Sequence, residues 1–421
     1  MTGTAVDHAD PADHADHADQ LIQLDESFMA DPHALYEMLR RERPVTQVRM
    51  PQGLRVWLVT RYADVRAALV DARLAKDSAG LSEVFDRRAV DGQQRVRWAQ
   101  ELSVHMLNSD PPDHTRLRKL VSRGFTPRAI GLLRPRIEQL AAELAESLAA
   151  RLAAEGTADL LDEFAFPLPM TVICEILGVP GERRNDFRVW SNTLLSAAPL
   201  EERVGAGAAM AEFLTELVRD KRARPGEDIL SAAVARGEDA DQLSEAEAVS
   251  MAFLLLVAGH ETTVNLIGNG TLALLRNPDR LAELRADPSL VPAAVEEFLR
   301  LEAPVNLATM RFTAEPVTVA GADIPAGEIV LLSLGSANRD PAHYERPDEL
   351  DLHRGTGNLA FGHGIHHCLG APLARMEGDI AFRALLGRLP SLALAGEPAE
   401  LVWRSSTLFR GLTRLPVRLA D

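Results

Sequence analysis

Ten residues near the carboxyl end decide the fold: Phe361-Gly362-His363-Gly364-Ile365-His366-His367-Cys368-Leu369-Gly370. They contain three glycines, three histidines and one of the two cysteines of the chain. The following Ala371-Pro372 predicts the first turn of a helix, so the Cys368 thiol would lie in the positive field of a helix N-terminus, which favours the thiolate. The glycines let backbone N–H groups approach the sulfur, because no Cβ stands in the way. A thiolate surrounded by backbone donors is what an iron centre takes as an axial ligand.

Two other interpretations of Cys368 stay open on the residues alone. A cysteine in an apolar chain is often a small core residue. The density of cysteine and histidine also suggests zinc. However, adjacent His366, His367 and Cys368 converge poorly on one tetrahedral ion, and no Cys-x2-Cys pair is present.

The composition is that of an ordinary globular chain. Its 421 residues are 46% hydrophobic and 25% charged, which allows a large core. The net charge of −16 disfavours nucleic acid as a partner. Two cysteines and an acidic, polar N-terminus predict a cytoplasmic protein with no disulfide framework, no leader and no membrane anchor. We further expect a monomer. Residues 1–20 repeat His-Ala-Asp and predict a disordered tail, whereas residues 21–421 predict a single domain.

The longest predicted helix begins with a capping box at Ser244 and Glu247 and runs to Arg276. Its middle is apolar on every side and leads directly into Gly259-His260-Glu261-Thr262-Thr263. Because buried polar groups are costly, these residues indicate function. A Thr262 hydroxyl bonded to the Ala258 carbonyl would open the turn, seat a small ligand and supply a proton. The alternative is a kinked helix with an internally satisfied threonine.

Two charged motifs accompany these segments. Prolines open residues 110–120, and a basic helix is predicted to continue over 115–123. His114 and Arg118 share one face, either as a solvated surface or as a clamp for a dianion such as a propionate-bearing cofactor. Glu297 and Arg300 stand three apart on a predicted helix and form either a surface pair or a buried structural pair.

Periodicity and chain breakers predict the remaining elements. Helices are expected over 31–41, 62–71, 129–152, 160–177, 183–197, 291–301 and 372–389. Hairpins are expected over 45–60, over 317–330 with its turn at 324–327, and over 403–418 with Leu408 and Phe409 at the tip. Residues 76–107 predict a long binding loop with a short helix near 95–102, residues 199–207 a mobile joint and candidate lid, and Cys174 core packing.

Taken together, the cysteine loop, the segment 258–263, the Glu297/Arg300 pair and the basic helix resemble the cytochrome P-450 family, haem-thiolate monooxygenases of the soluble actinobacterial kind. The motifs stand in the family's order, and the resemblance spans Asp31 to the C-terminus. It implies a mainly α fold with small β-sheets. The haem would lie between the long distal helix at about 244–276 and the proximal cysteine loop of a single triangular domain.

The resemblance also implies roles for individual residues. Cys368 would be the axial thiolate on the iron of haem b, and Thr262 with Glu261 would deliver protons for dioxygen activation. Glu297 and Arg300 would be structural. Many members place the third partner, an arginine, where this chain has Glu349, and Arg354 is the expected substitute. The remaining haem-binding residues would be His114, Arg118, Arg311 and His366 for the propionates, with Ala258, Phe361, Gly362 and Gly370.

The implied activity is hydroxylation or epoxidation of a bulky, mostly aliphatic natural product, a macrolide or other polyketide. Electrons would come from a separate ferredoxin and its reductase, because the chain carries no flavin or nicotinamide fingerprint. Their dock would be a basic patch of Arg116, Lys119, Arg123 and Arg375. The substrate pocket would be lined by Met106, Leu254, Val257, Ala258, Val305, Leu307, Thr309, Leu408 and Phe409. Alternatives are an atypical haem-thiolate chemistry, a terpenoid or steroid-like substrate, and a non-enzymatic haem sensor.

Overall fold

The computed structural model describes residues 21–88, 102–195, 198–234 and 242–420. Helices dominate, and three small sheets lie beside them. The helices are α1 (Glu26–Ala30), α2 (His33–Glu42), α3 (Tyr62–Ala68), α4 (Ser78–Arg88), α5 (Asp113–Ser122), α6 (Pro127–Glu155), α7 (Pro167–Leu177), α8 (Arg184–Leu195), α9 (Leu200–Ala223), α10 (Ile229–Val234), α11 (Glu245–Leu275), α12 (Pro278–Ala286), α13 (Val291–Leu301), α14 (Leu334–Ala337) and α15 (Ala371–Arg388).

The largest sheet has six strands in the order β1-β2-β3-β9-β6-β4. A second sheet has the order β10-β11-β5, and β7 pairs with β8 alone. The strands are β1 (Ile22–Gln23), β2 (Val45–Arg49), β3 (Arg55–Val59), β4 (Leu74–Ala75), β5 (Thr157–Asp159), β6 (Arg311–Thr313), β7 (Val317–Val319), β8 (Ala322–Ile324), β9 (Ile329–Leu332), β10 (Leu392–Leu394) and β11 (Pro416–Leu419).

The centre of the fold is α11, whose ends confirm the sequence prediction. The Ser244 side chain accepts from the Glu247 N–H at 3.1 Å, and the Glu247 carboxylate accepts from the Ser244 N–H at 2.8 Å. By length and composition α11 could cross a membrane, but 72% of its most apolar window is buried inside the fold. It is therefore a core helix. It packs against α7, α9, α13 and α15, and most of its residues are buried.

Local signals placed several other elements correctly. The hairpin of β2 and β3 pairs Val45 with Val59 and turns at Gly53, which has a left-handed φ of 87°. The predicted helices over 62–71, 129–152, 291–301 and 372–389 are confirmed within a few residues of their ends. Cys174 is buried beside Met170, as predicted for a core residue.

Four predictions need correction. The closing hairpin spans residues 403–412 and not 403–418, because residues 416–419 pair with β10 and β5 instead. Residues 200–207 begin α9 and are not a joint between helices, because Ala206 and Gly207 are buried in its packed face. The hairpin after residue 317 turns at Ala320 and Gly321, and its second strand ends at Ile324. Within the segment expected to be a loop, residues 78–88 form α4. The helix expected near 95–102 falls almost entirely outside the described residues, as does the 1–20 tail.

Candidate active site

The cysteine loop is a tight turn that ends at α15. The Cys368 N–H donates to the Phe361 carbonyl at 2.9 Å, and a single 3-10 turn over Gly364–His366 fills the loop between them. Gly362 and Gly364 have left-handed φ values of 72° and 77°. A Cβ on Gly364 would lie 2.7 Å from Val70 Cγ1, so a larger residue there would displace the loop from α3. Cys368 is thereby held three residues before Ala371, the first residue of α15.

Cys368 is exposed, but neighbouring protein atoms still desolvate its thiol. Burial raises the pKa of this thiol above its ordinary value. The backbone N–H groups of Gly370 and Ala371 hydrogen bond to the sulfur and, with the Arg118 guanidinium, act in the opposite direction. The predicted backbone donors are therefore present and favour the thiolate, although burial outweighs them in the free thiol. A cation bonded to the sulfur would reverse that balance.

A cluster of basic side chains lies beside the loop. The rings of His114 from α5 and His366 from the loop are 4.4 Å apart between centroids. Arg118, one turn after His114, donates to the His367 carbonyl at 2.7 Å and ties α5 to the loop. Arg311 on β6 is 4% exposed and donates to the carbonyls of Leu74 and Leu69, both at 3.2 Å. The four basic side chains predicted from sequence thus lie around one region.

Several nitrogens of this cluster lack a partner. Among the described residues, His114 Nε2, His366 Nε2 and Arg311 Nε are buried without a hydrogen bond. Burial, and next the positive charge of Lys76, lowers the pKa of His366 to about 2. Burial also lowers the pKa of Arg311 to about 10. Buried donors and cations without anions are costly, so this cluster fits a group that brings carboxylates, as a haem does.

Lys76 is a basic residue of this region that the sequence reasoning missed. It follows β4, is 3% exposed, and its Nζ lies 2.5 Å from Thr309 Oγ1. One available signal was a lone lysine directly after the apolar pair Leu74-Ala75. Burial, and next the charge of Arg311, lowers the pKa of the Lys76 ammonium to about 7.

On α11, Thr262 Oγ1 donates to the Ala258 carbonyl at 2.9 Å, as predicted. Gly259 between them packs so closely on α7 that a Cβ would lie 2.7 Å from Ile173 Cδ1. Ala258 is exposed and Thr262 partly exposed, whereas His260 and Glu261 are buried. Positions four apart share a face, so an otherwise buried helix keeps one short accessible face of small residues. That face is suited to a flat group and a small ligand.

Glu261 is buried and forms an ion pair with Arg404, a partner that the sequence reasoning missed. Arg404 comes from the chain near the C-terminus and also donates to Asn192 Oδ1 at 3.3 Å. The neighbouring His260 is neutral near pH 7, because burial lowers its pKa to about 4. Its Nδ1 lies 2.7 Å from the Leu256 carbonyl and must carry the proton, so its Nε2 accepts from the Ser191 hydroxyl at 3.2 Å.

The predicted pocket residues come from segments that the structure partly joins. Val305 pairs with Phe409 across an antiparallel bridge, and Asn306 N–H donates to the Leu408 carbonyl at 2.8 Å. Val305, Thr309 and Leu408 are partly exposed, and Met106 and Leu254 are each 8% exposed. Leu307 is 2% exposed and packs into the cluster around β2, β3 and β9, which favours a packing role over pocket lining.

The Glu297 network is buried and has three members. Arg300 Nε and Nη2 donate to the two Glu297 oxygens at 2.7 and 2.8 Å, and Arg354 Nε donates to the same carboxylate at 3.1 and 3.2 Å. Arg354 is therefore confirmed as the third partner. Glu349 contributes only its carbonyl, which accepts from Arg300 at 3.0 Å, while its side chain pairs with Arg346.

The predicted basic patch is smaller than expected. Arg116 pairs with Glu247 on α11, and Arg375 pairs with Glu296 and lies 4.5 Å above the Phe361 ring. These two charges are already neutralised by partners in the fold. Lys119 and Arg123 are exposed on and just after α5, and within the described residues no ion pair involves them.

Comparisons with known proteins agree with this geometry. The Cytochrome P450 family model matches residues 206–390. Vitamin D(3) 25-hydroxylase of Pseudonocardia autotrophica is 50% identical, covering 93% of this chain and 95% of its own. The 6-deoxyerythronolide B hydroxylase of Saccharopolyspora erythraea is 44% identical, covering 94% and 97%. The tirandamycin C-bound P450 monooxygenase TamI superposes with a TM-score of 0.88 at 50% identity, covering 95% of this chain and 100% of its own.

The mainly α fold with small sheets and the family resemblance are thereby confirmed. The chain belongs to the cytochrome P450 family, whose members are haem-dependent monooxygenases.

Proposed function

We propose that this monooxygenase hydroxylates a bulky, mostly aliphatic natural product of the macrolide or polyketide class. The similarity to a 6-deoxyerythronolide B hydroxylase and to a tirandamycin C-bound monooxygenase supports this class. The small residues on the accessible face of α11 and the aliphatic side chains of Val305 and Leu408 suit such a ligand. A steroid-like substrate is the second candidate, because a vitamin D(3) 25-hydroxylase is 50% identical to this chain.

The proposed site holds haem b with Cys368 as the ligand of its iron. The single observation that carries it is a cluster of buried nitrogens, those of His114, His366 and Arg311, that have no partner within the described residues and lie beside the Cys368 loop. His114, Arg118, Arg311 and His366 would bind the propionates, and Phe361, Gly362 and Gly370 would shape the loop against the ring. When bound, haem supplies the activation of dioxygen and the transfer of one oxygen atom to the substrate.

The chain's own residues would bind, orient and supply protons. Ala258 leaves space on α11, and the Thr262 hydroxyl offers a proton at Oγ1 on the same face. Glu261 would supply a new proton to the Thr262 hydroxyl. The ion pair with Arg404 fixes the Glu261 carboxylate beside α11. In Thr262→Ala we expect substrate binding to persist while product formed per NADPH falls and peroxide release rises. Unchanged coupling would remove Thr262 from the proton path.

The haem assignment is tested by the carbon-monoxide difference spectrum of the reduced protein. A band at the position typical of a thiolate ligand is expected, and it should be lost in Cys368→Ala. Cys174→Ala is the matched control, because Cys174 is buried in the core and should leave the band in place. A band at the position of a histidine-ligated haem in the unsubstituted protein would refute the assignment.

The substrate class is tested by optical titration of the ferric protein. A substrate that displaces the water on the iron shifts the spin state, and a macrolactone panel is compared with a secosteroid panel of similar size. Binding and turnover of macrolactones alone support the leading proposal. Binding and turnover of secosteroids alone would replace it with the second.

Electrons are proposed to come from a ferredoxin and its reductase in the cytoplasm, a compartment that fits two unpaired cysteines. The dock would centre on Lys119 and Arg123, because Arg116 and Arg375 have partners in the fold. The double variant Lys119→Glu/Arg123→Glu should slow reduction by ferredoxin and leave reduction by dithionite unchanged. If ferredoxin reduced the double variant and the unsubstituted protein at the same rate, the dock would lie elsewhere.

A further inference from the structure

Lys76 is a buried cation without an anionic partner in its contacts. It directly follows β4, and its ammonium touches the Thr309 hydroxyl at 2.5 Å. Within the described part of the chain, no carboxylate forms an ion pair with it. Asp110 is close, but its Oδ2 accepts from the backbone N–H groups of Lys76 and Asp77 at 2.7 and 2.9 Å. Asp110 therefore fixes the backbone that presents the lysine.

The surroundings of Lys76 are themselves basic. Its charge contributes to the lowered pKa values of His366, His114 and His105, and Arg311 contributes to that of Lys76. Burying one unpaired ammonium already costs free energy, and placing it among other cations adds repulsion. A chain that assembles these groups in one region gains from them only when an anion binds there.

We propose that Lys76 is a further cofactor-binding residue, whose ammonium binds a carboxylate of the haem beside Arg311 and His366. The inference rests on the haem site proposed above. Its charged neighbours are the candidate propionate partners, which favours a haem carboxylate over a substrate carboxylate. Thr309 holds the side chain in position through its hydroxyl, so the lysine is pre-organised for the anion.

If Lys76 binds a haem carboxylate, its substitution should affect haem binding and the stability of the fold differently. In Lys76→Met the aliphatic stem remains and the buried charge is removed, so the haem-free protein should be no less stable than the unsubstituted one. Haem should nevertheless be held less tightly, because one charged partner of a carboxylate is lost. A lysine that only supported the fold would give the opposite result, a less stable haem-free protein with unchanged haem retention.

The experiment measures the rate of haem transfer from the ferric protein to excess apomyoglobin. We expect Lys76→Met to lose haem about tenfold faster or more, the effect of one charge-assisted hydrogen bond, and Lys76→Arg to stay near the unsubstituted rate. Lys221→Met is the matched control, because Lys221 has its own anion, Asp228, at 2.6 Å. Lys221→Met should lower the stability of the fold, and its rate of haem transfer should change no more than that loss of stability explains. Should Lys76→Met fail to accumulate, Lys76→Gln gives the same readout.

Two further experiments identify which carboxylate the Lys76 ammonium binds. Reconstitution with haem dimethyl ester removes the propionate charges, so the difference between Lys76→Met and the unsubstituted protein should vanish. A difference that persists with the ester would overturn the proposal. It would also be overturned if haem retention were unchanged while Lys76→Met weakened binding of dodecanoic acid but not of its methyl ester, since the lysine would then serve a substrate acid. The carbon-monoxide band of each variant reports separately whether the haem-thiolate site itself is present.

Discussion

Glu377 on α15 carries the sharpest pH prediction. It is fully buried, burial raises the pKa of its carboxyl to about 8, and the Thr263 hydroxyl bonded to it only partly offsets this. The folded carboxyl therefore keeps its proton up to about pH 8, whereas the unfolded one loses it near 4.5. Between these values the unfolded state binds fewer protons, so stability falls as pH rises. At about 1.4 kcal/mol per pH unit, the loss by pH 8 is about 4 kcal/mol.

Glu377→Gln tests this reasoning, because the amide keeps the shape and a hydrogen bond to Thr263 but does not ionise. Urea unfolding of the haem-loaded proteins, followed by far-UV circular dichroism from pH 5 to pH 8.5, gives the free energies. The two proteins should be equally stable near pH 5, and the variant should be more stable by several kcal/mol at pH 8. Glu143→Gln on the exposed face of α6 is the control and should follow the unsubstituted protein. If the free energies of unfolding of Glu377→Gln and of the unsubstituted protein changed with pH in parallel, the reasoning would be refuted.

Three further predictions follow from buried contacts. Glu297→Gln leaves Arg300 and Arg354 buried without a carboxylate, so urea unfolding should show a loss of about 3–5 kcal/mol; a loss below 1 kcal/mol would contradict a buried pair. Gly259→Ala should cost about 1–3 kcal/mol, and Ile173→Val should recover part of it, since the new methyl meets Ile173; purely additive effects of the two changes would speak against that contact. Burial raises the pKa of Cys174 to about 12, so a maleimide at pH 8 should leave Cys174 unlabelled in the folded protein, as mass spectrometry can check.

The elements that could be predicted from sequence are those with local causes. A capping box at Ser244 and a chain breaker at Pro278 define α11, and a glycine at residue 53 defines the first hairpin. The conformation of the cysteine loop also has local causes, because its glycines favour the turn and the following proline favours the start of a helix. Arg354 was expected only from the family resemblance, as a substitute for the arginine that many members place where this chain has Glu349.

The elements that were missed depend on tertiary contacts or on weak local signals. The turn at Ala320 has a left-handed φ of 46° on a residue that rarely adopts it, so the Pro325–Gly327 stretch gave the stronger turn signal. The start of α9 contains Gly205 and Gly207, which favour a break, yet burial of Ala206 and Gly207 holds the helix together. The desolvation of Cys368 was likewise invisible, because it depends on distant parts of the chain.

Lys76 and Arg404 show the same limit at the site itself. Each would pass for a surface cation in sequence, and each is identified only by the residue it meets more than a hundred positions away, Thr309 and Glu261. Arg404 lies at the base of the 403–412 hairpin, where its N–H donates to the Gly411 carbonyl, and the tip of that hairpin pairs Phe409 with Val305. The 403–412 hairpin thus carries both Arg404, the partner of the buried Glu261, and Phe409, which is expected to line the substrate pocket. Its function follows from what it joins, and a pattern within it could not have revealed that.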